Sequence, residues 1–267
     1  MADAGGYRDE AWLAELYDFV PGYAGRPDVG FYVARATAAD GPVLELGCGT
    51  GRVLIPVARA GCETVGLDIS EHMLRKCREK LAREPAEVRA RVRLVTEDMT
   101  GFDLGAEFGL ITTPFRPFQH LVAVEQQLAC LECVRKHLAP DGRFILDVFN
   151  PDPRKLTDPT ALEEREDFAD LRLPDGRTLR RTHRFSARHP AVQCNDVELI
   201  YYVTDLQGDT ERHVHAFPFR YFYRYEVEHL LARAGLRVVE LLGSFDGSPF
   251  ADDSPEMIFV TALHAAA

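Results

Sequence analysis

No run in this 267-residue chain approaches the roughly 18 consecutive apolar residues that a membrane-spanning helix needs. The acidic start, Met1 to Gly6, lacks the basic and apolar stretches of a secretory signal, so a cytoplasmic protein without membrane contact is expected. Positive charge is in deficit, with 31 Lys and Arg against 42 Asp and Glu and a net charge of −11. A phosphate backbone would meet long-range repulsion, and nucleic acid is not an expected partner. Cysteine is sparse: six residues lie scattered in a chain large enough to bury its own core, which implies reduced thiols rather than a disulfide framework. Cys130 and Cys133 alone have metal-like spacing, but they fall inside an expected helix with no second Cys or His pair nearby, so no metal site is expected. Internal repeats and long low-complexity tracts are also missing. What remains, 46% hydrophobic and 27% charged residues, is the composition of one large globular domain carrying an elaboration.

From Gly41 onward, apolar runs alternate with helical periodicity, the pattern of an open parallel sheet covered by helices on both faces. Val43 to Leu46 reads as a buried strand entering a glycine turn, and Val53 to Ala60 as the helix leaving it. A second strand spans Glu63 to Asp68. Ser70 is placed to cap the helix Glu71 to Leu81, whose apolar stripe is Met73, Leu74, Cys77 and Leu81. Further strands are expected at Val92 to Val95, Phe108 to Ile111 and Arg143 to Phe149. The helix Val124 to Leu138 precedes the last of these and ends at a Pro140-Asp-Gly142 turn.

Between residues 150 and 223 the period changes to two, which predicts an antiparallel insertion. Val197, Leu199, Tyr201 and Val203 share one face there, and His213, His215, Phe217, Phe219, Tyr221 and Tyr223 another. His213 and His215 offer two metal ligands without a third. The chain returns to helix at Tyr225 to Ala234 and ends in strands at Leu236 to Leu242 and Met257 to Leu263.

Gly47-Cys-Gly-Thr-Gly51 lies where strand turns into helix, so its backbone can take positive φ angles and approach a ligand closely. A dinucleotide fingerprint, Gly-x-Gly-x-x-Gly, would need glycine where Arg52 stands. Glu45, just before the turn, would be a poor neighbour for a pyrophosphate, yet it suits the ammonium and sulfonium of S-adenosylmethionine. Asp68, about 20 residues on, ends the second strand, where a carboxylate can accept both ribose hydroxyls. Asp98, with Glu97 as a near competitor, can accept from an adenine amino group.

Val43 to Val53, Val65 to Ser70, Thr96 to Met99 and Leu138 to Asp147 together resemble the successive motifs of class I S-adenosylmethionine-dependent methyltransferases. The resemblance spans roughly residues 40 to 150. It implies a Rossmann-like, seven-stranded, mostly parallel sheet whose final two strands form a hairpin, and methyl transfer that releases S-adenosylhomocysteine. It also implies three parts: a cover segment at 1–40, a cofactor-binding core at 41–149 and 224–267, and a substrate-cover insertion at 150–223. Around the cofactor it draws in Gly47, Cys48, Gly49, Gly51, Ile69, Met73, Met99 and Thr112. The stretch Tyr17 to Arg26 is similar to the segment that folds over the methionine end in small-molecule members, which makes Tyr17, Tyr23, Arg26 and Arg52 candidates for that end.

On the acceptor side, the loop after the fourth strand lies at the carboxyl edge of the sheet, where ligands bind in open α/β folds. Its candidates are Arg116 to clamp an anion, Gln119 to hydrogen-bond the acceptor and His120 to orient or deprotonate it. The expected activity is methylation of nitrogen or oxygen on a small-molecule acceptor by a monomer or homodimer. Two alternatives stand beside it: a non-catalytic cofactor-binding scaffold, and an NAD-dependent oxidoreductase.

Overall fold

The computed structural model describes residues 7–8 and 10–264; the acidic start at Met1 to Gly6 lies outside the described residues. Two compact units emerge, one built of Tyr7–Asn150 and the chain from Phe222 on, the other of Pro151–Tyr221. The larger unit opens with α1 (Ala11–Tyr17), α2 (Pro21–Ala24) and α3 (Asp28–Thr37). The described part of the expected cover segment is thus helical and integral to this unit. None of the helices among the described residues is long and apolar enough to cross a membrane.

The alternating core follows as β1 (Val43–Leu46), α4 (Leu54–Arg59), β2 (Thr64–Asp68), α5 (Glu71–Leu81), α6 (Ala86–Ala90) and β3 (Val92–Thr96). The Ser70 hydroxyl accepts from Met73 N at 3.3 Å, capping α5, whose buried residues are the expected stripe. Then come β4 (Phe108–Thr113), a short 3-10 helix (Pro117–His120), α7 (Val124–His137) and β5 (Leu138–Phe149). The expected turn at Pro140-Asp-Gly142 is instead an irregularity inside β5. Pairing with β4 jumps from Phe108↔Leu138 to Leu110↔Arg143, so the intervening residues bulge out of register.

In the smaller unit, α8 (Pro153–Thr157) precedes β6 (Arg165–Arg172), β7 (Thr178–His189), β8 (Cys194–Thr204) and β9 (Thr210–Arg220), a four-stranded sheet in sequential order. All its pairings are antiparallel, as the period-two pattern requires. His213, His215, Phe217 and Phe219 sit opposite Tyr201, Leu199, Val197 and Asn195. Tyr221 and Tyr223 do not share that strand, because β9 ends at Arg220 and Tyr221 N turns to Gln193 O at 2.9 Å.

The chain closes the larger unit with α9 (Arg224–Arg233), β10 (Leu236–Leu242) and β11 (Glu256–Leu263). Its seven strands run β10-β11-β5-β4-β1-β2-β3, with β11 antiparallel to both neighbours. Alternation along the strands divides the core. Leu44, Leu46, Phe144, Leu146 and Phe259 pack with Leu131 and Val134 of α7 and Val227 and Leu231 of α9. Val43, Ile145, Ile258 and Val260 pack with Tyr32 of α3 and Val57 of α4. By the same alternation Glu45 and Asp147 face the α3 and α4 side. β1 leads to β2 on one side while β4 lies on the other, so the strand order reverses between β1 and β4, the place where open α/β sheets bind ligands.

Candidate active site

At the end of β1, Gly47 N and Cys48 N both donate to Leu67 O, at 2.8 and 3.0 Å, which folds the glycine turn against the end of β2. Gly51 N then donates to Cys48 O at 2.9 Å, and Ile55 N to Gly51 O at 3.1 Å, starting the helix. Gly51 has φ +81°, and a Cβ there would stand 2.6 Å from Cys77 Sγ. Gly49 has φ +53°, but apart from its chain neighbours no atom of the described residues lies within 4 Å of its Cβ position, so this glycine presents open backbone rather than a packed contact.

Asp68 accepts from Gly49 N (Oδ2, 2.7 Å) and from Ser70 N (Oδ1, 2.8 Å). Burial pushes its carboxyl up to about 6, against the lowering effect of the Ser70, Gly49 and Ile69 N–H groups. Each carboxylate oxygen keeps a lone pair for a further donor. Glu97 N bonds Asp68 O at 3.1 Å, which brings the end of β3 alongside. Asp98 follows, its Oδ1 taking both Thr100 N (2.9 Å) and Thr100 Oγ1 (2.7 Å), while Oδ2 makes no hydrogen bond among the described residues. Ile69 and Met99 are half-buried, and Met73 and Cys48 are buried. Glu45 is buried opposite Thr112 in the β1–β4 register. Burial pushes its carboxyl up to about 8; nearby Arg52 opposes the shift, and Asp28 and Asp68 add to it.

The methionine-end candidates do assemble, but against one another. Tyr17 and Tyr23 are 4.7 Å apart between ring centroids, and Tyr23 meets Phe115 edge-on at 5.0 Å. Asp18 accepts from Thr50 Oγ1 at 2.6 Å and pairs with Lys80 at 2.9 Å, tying the end of α1 to the glycine turn. Arg52 and Arg26 both converge on Asp28, and Arg26 also lies over the Phe115 ring at 4.5 Å.

The loop after β4 carries two successive non-glycine residues in the left-handed region, Phe115 (φ 65°) and Arg116 (φ 72°), strain of the kind that functional loops hold. Arg116 is engaged with both oxygens of Glu256 at 2.6 and 2.8 Å. Gln119 is fully buried, its side-chain carbonyl accepting from Phe149 N at 3.2 Å, so bonding an acceptor through that oxygen would mean giving up a tie to β5. His120 meets the Tyr7 ring edge-on at 5.5 Å.

Sequence reasoning missed Asp28, Glu256, Tyr32 and Asp147. Tyr32 OH donates to Asp147 Oδ1 at 2.6 Å, and both side chains are buried. A lone carboxylate within the apolar run Phe144 to Phe149 is the same signal that marked Glu45. Asp28 and Glu256 carry no comparable local mark. Cys130 and Cys133 are buried in α7, and no cluster of metal-ligating side chains occurs among the described residues.

Comparison with known proteins bears on this constellation. The pattern of a methyltransferase domain family matches residues 43–142. The chain is 29% identical, over 97% of its length and 98% of the relative's, to the cypemycin N-terminal methyltransferase of a Streptomyces species. It is 27% identical, over 88% of its length and 94% of the relative's, to the dTDP-3-amino-3,4,6-trideoxy-alpha-D-glucopyranose N,N-dimethyltransferase of Streptomyces venezuelae. Among solved structures, the CcbJ methyltransferase from Streptomyces caelestis superposes with a TM-score of 0.75 at 29% identity, covering 98% of this chain and 100% of that one.

Proposed function

Because the chain belongs to the class I S-adenosylmethionine-dependent methyltransferases, we propose that it methylates an amino nitrogen of a small-molecule acceptor. Membership in an enzyme family that uses this cofactor sets aside the NAD-dependent and non-catalytic alternatives. The observation that carries the nitrogen reading is that two relatives matched over most of their length are named for methylation at an amine, one an N-terminus and the other an amino sugar.

The site's residues fit the cofactor. Gly49 offers an open backbone approach, Asp68 keeps a lone pair on each oxygen for the ribose hydroxyls, and Asp98 Oδ2 suits the adenine amino group. Gly47, Cys48 and Gly51 shape the turn, Ile69, Met73 and Met99 supply apolar surface, and Glu45 with Thr112 stands on the strand pair that meets the ammonium end. Tyr17, Tyr23, Arg26 and Arg52 hold the methionine carboxylate. When bound, S-adenosylmethionine supplies an electrophilic methyl on a sulfonium.

An amine attacks through its own lone pair. The nitrogen–carbon bond forms as the carbon–sulfur bond breaks, and the nitrogen then sheds a proton. Alignment and exclusion of water therefore matter more than a strong base. His120 is assigned to orienting the amine or taking up that proton, with Arg116 and Gln119 shaping the loop that carries it. Selection of the acceptor is assigned to the unit Pro151–Tyr221.

The test presents an amino-sugar nucleotide and a short peptide with a free N-terminus, each beside a counterpart in which hydroxyl replaces the amine. Product mass and S-adenosylhomocysteine release are followed. Gain of a methyl by an amine and not by its hydroxyl counterpart is expected; the reverse preference would sink the nitrogen reading.

A further inference from the structure

Five charged side chains from separate stretches of the chain meet beside the glycine turn: Arg52 after the turn, Arg26 and Asp28 at the start of α3, Arg116 after β4, and Glu256 at the start of β11. Asp28 is the hub. It is 0% exposed and accepts from Arg52 Nη1 and Nη2 at 2.6 and 2.8 Å and from Arg26 Nε at 3.1 Å. Arg26 reaches Glu256 only at 3.4 Å, and Arg116 occupies both Glu256 oxygens.

Three guanidinium groups meet two carboxylates at hydrogen-bonding distance, and the buried Glu45 and Asp147 carboxyls lie near the same arginines, so what the group offers a ligand is donors fixed in place. Burial alone would push the Asp28 carboxyl up, but Arg52 and Arg26 outweigh it and hold it below its ordinary range, so it stays ionised. A guanidinium whose one edge is filled by a buried carboxylate has a fixed plane and loses little further freedom when its other N–H groups meet a ligand.

We infer that Asp28 is a positioning residue for the cofactor: by gripping Arg26 and Arg52 together, it holds their remaining N–H groups ready for the methionine carboxylate. The inference rests on the proposed role of the two arginines. A merely architectural Asp28 would instead matter equally for any ligand of the site.

The experiment compares S-adenosylhomocysteine with 5′-methylthioadenosine, which shares the adenosine and thioether but lacks the amino-acid end, by calorimetry on the full-length protein. Asp28→Asn is expected to weaken S-adenosylhomocysteine by roughly tenfold or more, as loss of a charge-assisted contact does. Methylthioadenosine should stay within about twofold, since the site it touches is unaltered. Asp28→Glu, which keeps the charge but displaces it, should fall between and serves if the Asn variant does not fold. Equal losses for both ligands overturn the inference. Arg52→Gln separates the two levels. If it discriminates between the ligands while the Asp28 variants do not, Asp28 loses its role and the arginines keep theirs. If Arg52→Gln does not discriminate either, the arginine assignment fails and the inference falls with it.

Discussion

Gly49 N donates to Asp68 Oδ2 across 2.7 Å, a side-chain tie between the glycine turn and the end of β2. The carboxylate proposed to take the ribose hydroxyls is therefore also one of the groups, with Leu67 O, that tie the turn to β2. On that proposal, cofactor recognition and local stability are coupled at this residue.

Asp68→Asn should expose that coupling. The amide carbonyl can serve Gly49 or Ser70 but not both through equivalent oxygens, so a stability loss of about 1 to 2 kcal/mol is expected. Binding of S-adenosylhomocysteine and of methylthioadenosine should fall together, because both carry the ribose. Calorimetric titration of each ligand measures this, and a selective loss of the former alone would count against a ribose contact.

Two glycines in the same turn should fail in different ways. Gly51→Ala combines a positive φ with a contact 2.6 Å from Cys77 Sγ, so a destabilisation of roughly 2 to 4 kcal/mol is expected. Gly49→Ala meets no atom of the described residues beyond its chain neighbours within 4 Å and should lose only about 1 kcal/mol from backbone strain, yet its methyl would occupy the approach to the backbone. Urea unfolding and cofactor titration on both variants separate the effects; full binding by Gly49→Ala would contradict the assignment.

Acid and base should act on the cofactor-free protein through buried carboxyls. Glu45 is raised from 4.5 to about 8, and Asp68 and Asp147 from 3.8 to about 6. Burial is the first cause in each case. A carboxyl raised on folding keeps its proton where the unfolded chain has lost it, so stability falls as pH rises from the unfolded value to the folded one. Stability should decline from about pH 4 to about pH 8, by at most roughly 1.4 kcal/mol per pH unit for each titrating group. Glu45→Gln should flatten the portion above about pH 6, where Glu45 alone of these three still titrates. Urea midpoints across the range report it, and a wild-type profile already flat there would show that Glu45 is ionised.

Tyr32→Phe removes the hydroxyl that donates to Asp147 Oδ1 at 2.6 Å, and Oδ2 of the same carboxyl has no hydrogen-bond partner among the described residues. The variant leaves a buried carboxyl without its hydrogen-bond donor, for a loss of about 1 to 3 kcal/mol. Thermal unfolding measures it. Unchanged stability would mean that the carboxyl finds another donor.

Much of the fold was legible because its signals are local. The strand, glycine turn and helix from Val43 to Arg59, the Ser70 cap and the α5 stripe each arise within a few residues of one another, where periodicity and capping act. The antiparallel insertion was legible from alternation alone, but the end of β9 was not, since Tyr221 leaves the strand for a bond to Gln193 that no pattern announces. The three N-terminal helices also went unread, because α1 and α2 are too short to show a stripe.

Residue types, their order and their spacing thus determined by themselves the sheet class and the strand, glycine turn and helix, and singled out Glu45, Asp68 and Asp98 as candidate carboxylates. Only tertiary structure decided what the arginines do. Arg52 pairs with Asp28 at a sequence separation of 24, Tyr32 with Asp147 at 115, and Arg116 with Glu256 at 140. A charge on a long side chain can satisfy any carboxylate within its reach. Which one comes within reach is set by the strand order β11-β5-β4-β1 and by the helices packed over it, not by distance along the chain.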